Sequence, residues 1–172
     1  MSNKVLARWN SLDPATAARE ALPCCGSQAW AAALASRRPI ADEASLINAS
    51  TSIWLALPEE ARQEAFDSHP RIGQTHAQAH ATEESLAWSA QEQRRALSKD
   101  ESTQRALEEA NQRYEQKFGR IFIVCATGNT SAEMLSILER RMKNDAATEL
   151  REAADQQRQI TALRLHRWLE SD

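Results

Sequence analysis

Apolar residues recur three and four positions apart along most of this chain, the spacing of helices with one buried face. In ADEASLINASTSIWLAL (41–57) the buried positions are expected at Leu46, Ile47, Ile53, Trp54 and Leu57. From about residue 101, Leu107, Ala110, Tyr114 and Phe118 fall on one stripe, and Gly119 supplies a C-terminal stop. Met134, Leu135, Leu138 and Met142 form another stripe. Asn129 or Thr130 caps that helix, and Glu133 stands three residues after Thr130. A last long helix is expected from about Ala146 to Leu169.

Punctuation marks the other elements. Pro14 opens a helix with Asp13 as its cap. SQAWAAALAS (27–36) reads as a second helix, ending before Pro39. Pro58 begins another, with Glu59 and Glu60 in a first turn that favours acids. It must stop near Ser68, because His69 precedes Pro70 and is pushed out of the helical region. Residues 73–83 are polar and alanine-rich, a loop. A short helix follows over EESLAWSAQEQRRAL (83–97), and Ser98 with Glu101 has the spacing of a capping box for the next. Only IFIVCA (121–126) reads as extended. The pattern predicts an all-α protein, residues 1–172 as a single domain: a compact bundle of roughly eight helices with one short extended segment near 121–126.

Composition narrows the classes. Four glycines and five prolines in 172 residues leave few helix breakers. A net charge of −3 with scattered basic residues gives no stripe for nucleic acid. No apolar run reaches the length of a membrane span. The stretch MSNKVLARWNSL has no signal-peptide pattern and HRWLESD no retention address. Three cysteines (Cys24, Cys25 and Cys125) do not suit a secreted disulfide framework, so a cytoplasmic protein is expected.

Four features could carry chemistry. A lone extended segment has no sheet to join, yet its buried N–H and C=O groups need partners. They could face a ligand rich in amides or ureas, or the segment could be a buried first turn of helix. Ser89, Glu92 and Gln93 share one helix face, able to donate and accept hydrogen bonds, or simply a solvated polar surface. Arg164 falls between Ile160 and Trp168 on an apolar stripe with Leu150, where a charge needs a partner. It could instead snorkel at the core's edge, and Arg167 competes with it for the role. His69 is the strongest proton-transfer candidate by residue type, set against the plainer reading of a helix stop. A zinc-dependent hydrolase would use His76 and His80, four apart, with His69, Glu83 or Glu84 as a third ligand. A non-catalytic helical binding module is the third class.

Taken together and in order, LPCCGSQAWA (22–31), RP (38–39), HPRIG (69–73), SAQEQ (89–93), YEQKFGRIFIVCA (114–126) and ITALRL (160–165) resemble the OHCU decarboxylase family. Those enzymes act on 2-oxo-4-hydroxy-4-carboxy-5-ureidoimidazoline, the product of 5-hydroxyisourate hydrolysis, and release CO₂ to give (S)-allantoin in urate breakdown. The resemblance implies an all-helical, cofactor-free carboxy-lyase without a metal, a homodimer, and a small-molecule substrate rather than nucleic acid or membrane. It also implies roles. His69 matches the catalytic histidine, Glu92 its acidic partner and Arg164 the active-site arginine of the final helix. Pro70, Ser89, Ala90, Gln91, Gln93 and the segment Phe122, Ile123, Val124, Cys125 and Ala126 match substrate contacts.

Overall fold

A computed structural model describes residues 3–72, 81–94 and 100–171. Among these residues there are nine helices: α1 Lys4–Asn10, α2 Pro14–Cys25, α3 Gln28–Ser36, α4 Glu43–Ala56, α5 Glu59–Asp67, α6 Glu83–Glu92, α7 Glu101–Phe118, α8 Ser131–Arg141 and α9 Ala146–Leu169. The all-α expectation holds. The chain clusters into two units, Met1–Ala65 with Arg158–Asp172, and Phe66–Gln157.

Helix ends follow from local chemistry. Asp13 accepts from the Thr16 N–H ahead of Pro14, and Ser27 accepts from the Trp30 N–H. Thr130 and Glu133 form a reciprocal capping box. Gly119 ends α7 in the left-handed region at φ 68°, and its N–H reaches the Glu115 carbonyl. Three details differ from the sequence reading. The short helix α1 was not expected; Asn3 caps it, and it buries Leu6 and Trp9. Asp100, not Ser98, caps α7, its two carboxylate oxygens accepting from the Ser102 and Thr103 N–H groups. Ser98 and the loop residues 73–80 lie outside the described residues. Leu57 is only half-buried, because it is the C-cap of α4 rather than part of its inner face.

In the first unit α2 packs on α3 and α3 on α4. Its core includes Trp9, Trp30, Leu34, Leu46, Trp54 and Trp168. Trp9 meets the ring of Trp168 edge-on at 5.6 Å, and its indole N–H donates to the Ala17 carbonyl at 2.9 Å. Burying an aromatic side chain of this size contributes about 2–3 kcal/mol, provided its polar atom is satisfied. Arg38 fastens the end of α1 by donating to the carbonyls of Trp9 and Leu12.

The second unit is built on α7 against α8. Leu107, Ala110, Tyr114 and Phe118 meet Met134 and Leu138, with Leu135 and Met142 partly buried beside them. Phe122, Val124 and Ala126 enter the same core. That cluster fixes the extended segment by its side chains; its backbone is held separately, as described next.

Candidate active site

His69 sits just past α5, where its N–H still reaches the Phe66 carbonyl at 3.1 Å. Pro70 forbids another turn, as expected. The imidazole is 7% exposed, and Nε2 lies 2.7 Å from the amide oxygen of Gln157, itself fully buried on α9. An amide oxygen can only accept, so in this contact an Nε2–H donates to Gln157. The adjoining Arg71 forms an ion pair with Glu115 of α7. The end of α5 is thus fixed by both α7 and α9.

On α6 the polar trio divides. Ser89 and Gln93 are buried and Glu92 is half-buried, so the face is not a wholly solvated one. Ala90 and Gln91 point outward and are exposed. The Thr82 hydroxyl caps this helix by accepting from the Ser85 N–H at 3.0 Å.

Residues 121–126 are neither strand nor helix, and α8 does not begin until Ser131. The reading as a helix's first turn is therefore set aside. Side chains meet part of the backbone's demand. The Ile123 carbonyl accepts from the Arg141 guanidinium. The Cys125 N–H donates to the Gln156 side-chain oxygen at 2.9 Å. The Cys125 carbonyl accepts from the Asn129 amide at 3.1 Å, and the Ala126 carbonyl from the Asn129 N–H at 3.0 Å. These groups are committed to the protein itself.

Behind that segment lies a buried charge cluster that sequence reasoning missed. Arg141 and Glu149 are both fully buried and form an ion pair. The Tyr114 hydroxyl donates to the same Glu149 oxygen that Arg141 engages, and Asn144 donates to the other at 2.9 Å. The guanidinium also lies over the Phe122 ring, 4.7 Å from its centroid. Burial, and then the bond to Glu149, push the Tyr114 phenol well above its ordinary pKa. A signal for Arg141 exists in the sequence: it stands seven residues after Met134, on the same apolar stripe.

Arg164 is 1% exposed and belongs to the first unit, where its guanidinium donates to the Pro23 carbonyl at 3.3 Å. Arg167 is half-buried, so the stripe position belongs to Arg164. Leu150 is half-buried while its neighbour Glu149 is fully buried, which shifts the stripe's start by one residue. His76 and His80 lie outside the described residues. Among the described residues no three His, Cys, Asp or Glu side chains gather as metal ligands, and no helix is long and apolar enough to cross a membrane.

Nine helices among the described residues, a buried histidine at a helix end and a clamped extended segment define the class so far. The OHCU decarboxylase family model matches residues 10–166, and the chain belongs to that family. It is 32% identical over 142 residues to the uric acid degradation bifunctional protein TTL of Arabidopsis thaliana, an alignment covering 83% of this chain and 44% of that protein. It is 27% identical to the uric acid degradation bifunctional protein of Bacillus sp. (strain TB-90), covering 81% and 27%. The chain therefore spans less than half the length of either relative. Among solved structures it resembles an OHCU decarboxylase crystallised in the presence of (S)-allantoin, with a TM-score of 0.77, 34% identity and coverage of 88% of this chain and 98% of that one. The fold also matches an (S)-allantoin synthase, with a TM-score of 0.72, 18% identity and coverage of 95% and 53%.

Proposed function

We propose that this chain decarboxylates 2-oxo-4-hydroxy-4-carboxy-5-ureidoimidazoline to (S)-allantoin without a cofactor, as one OHCU decarboxylase domain over residues 1–172. Family membership supports the reaction class. The observation that carries the assignment to residues is His69, buried at a helix end with its ring oriented by Gln157. The substrate bears a carboxylate and a hydroxyl on one carbon, beside a ring imine. The bond to CO₂ breaks, its electron pair forms a double bond to the imine carbon, and the imine nitrogen takes a proton from solvent, so the imine serves as the sink a cofactor would otherwise supply. The hydroxyl carbon becomes a carbonyl, and a proton reaches the neighbouring ring carbon from one face.

In this reading His69 takes the hydroxyl proton and manages its transfer, worth roughly 10²–10⁴ in rate. Glu92 accepts from the ring or ureido N–H groups, with Ser89, Ala90, Gln91 and Gln93 beside it. Pro70 and the backbone of Phe122, Ile123, Val124, Cys125 and Ala126 complete the wall. Arg164 answers the anionic charge of the substrate. The finer expectations go with it: a cytoplasmic enzyme acting as a homodimer.

The test generates the substrate in place from urate, with urate oxidase and 5-hydroxyisourate hydrolase, and follows the optical rotation of the allantoin formed. The wild type should produce the (S) enantiomer faster than the spontaneous racemic background. His69→Ala should fall to that background while keeping its helical circular dichroism. Normal (S)-allantoin formation by His69→Ala would remove the assignment.

A further inference from the structure

We propose that Gln157 is a positioning residue that holds His69 in the Nε2–H tautomer for its proposed work on the substrate proton. The proposal deepens the function proposed above and rests on it for its kinetic part. Gln157 is fully buried, and its side-chain oxygen stands 2.7 Å from His69 Nε2, a full-strength contact between two groups shielded from water.

The chemistry of the partner matters. A carboxylate in this place would hold the imidazolium by charge and retain the proton. A neutral amide orients the ring and selects the tautomer without trapping the charged form. A residue that must take a proton from the substrate and give one back is better served by the amide.

Helix geometry strengthens the inference. Gln156 and Gln157 are consecutive on α9, about 100° apart around its axis. One reaches the Cys125 N–H and the other His69 Nε2. A single turn of one helix therefore sets the position of the proposed proton carrier and of the extended wall. Because the Cys125 N–H is occupied by Gln156, substrate recognition along 122–126 passes through other backbone groups of the segment.

The test uses ¹⁵N NMR of the imidazoles in the full chain, which has four histidines. The His69 signals are those missing from His69→Asn. The expected result is a pyrrole-type Nε2 and a pyridine-type Nδ1 at neutral pH. Gln157→Leu should spread the ring between both tautomers and lower kcat about 100-fold, with KM changed less than about threefold. Gln157→Glu keeps an acceptor at the same place and should keep the Nε2–H tautomer while moving the acidic limb of the pH profile upward. A wild-type Nδ1–H tautomer, or a Gln157→Leu variant with unchanged tautomer and kcat, overturns the proposal. If the wild type turns over no ureidoimidazoline, the functional reading fails, and the wild-type tautomer still decides the positioning role.

Discussion

Arg141 and Arg164 are both 1% exposed, and both lie on the apolar stripe of a helix, each in its own unit. Arg141 faces a buried carboxylate, a phenol that shares that carboxylate, an aromatic ring and a backbone carbonyl, all within its own unit. Arg164 donates to the carbonyl of Pro23, near the end of α2. The first arrangement encloses a charge and its countercharge permanently. The second is the one proposed to meet a charge that arrives with the substrate. An arginine in an apolar stripe is thus a marker of a polar site, and the proposed function gives these two different work.

The comparison can be broken by mutation. The largest effect is expected for Arg141→Met, which strands the Glu149 carboxylate in the core. A loss of about 3–5 kcal/mol, read from urea unfolding, is expected. Adding Glu149→Gln should recover part of that loss, since the stranded charge goes with it. If Arg141→Met alone is nearly neutral, the cluster is not the clamp described.

Arg164→Gln should show the opposite profile. Its kcat/KM for the ureidoimidazoline should fall about 100-fold, while its urea midpoint moves less than that of Arg141→Met. Equal stability losses for the two would erase the distinction.

Tyr114→Phe removes one donor from the Glu149 carboxylate and should cost about 1.5–3 kcal/mol. It also alters the alkaline limb of stability. The phenol's pKa is raised in the folded chain, so its contribution is complete below the unfolded value of about 10 and fades as pH rises past it. Wild-type protein should lose stability above about pH 10, and Tyr114→Phe should lose less over the same range.

The smallest effect calibrates the others. His166 and Glu43 form an exposed pair at 2.7 Å. The Glu43 hydrogen bond, and then Glu170's charge, raise the His166 pKa, so the pair contributes below about pH 6.5 and its contribution fades as pH rises through the folded value. Glu43→Gln should lower the His166 titration midpoint by NMR and leave the urea midpoint essentially unmoved.

What could be read in the chain depended on how local the cause was. Asp13 before Pro14, Thr130 with Glu133, and Gly119 mark helix ends through contacts within four residues, and each appears as expected. At α7 two local rules competed. Ser98 and Glu101 have the capping-box spacing, but Asp100 bonds two N–H groups itself. His69 and Arg164 stood out because their types are costly where the pattern put them. Arg141 did not, because LERR reads as a basic last turn complementing the helix dipole. Gln157 was harder still. An amide in QQRQ carries no charge or periodic signal, and its partner is 88 residues away. The extended run was legible as an anomaly, while its clamps from α8 and α9 required the fold.

One consequence of that clamped segment is practical. Arg141, Gln156 and Asn129 grip it through the backbone. Cys125 is half-buried, whereas Cys24 and Cys25 are enclosed, and burial pushes the Cys25 thiol up to about 12. Thiolates, not thiols, react with alkylating agents. Near neutral pH a small maleimide or fluoroalkyl label should therefore choose Cys125. The chain supplies its own attachment point for a probe that would watch the wall of the proposed pocket as ligand arrives.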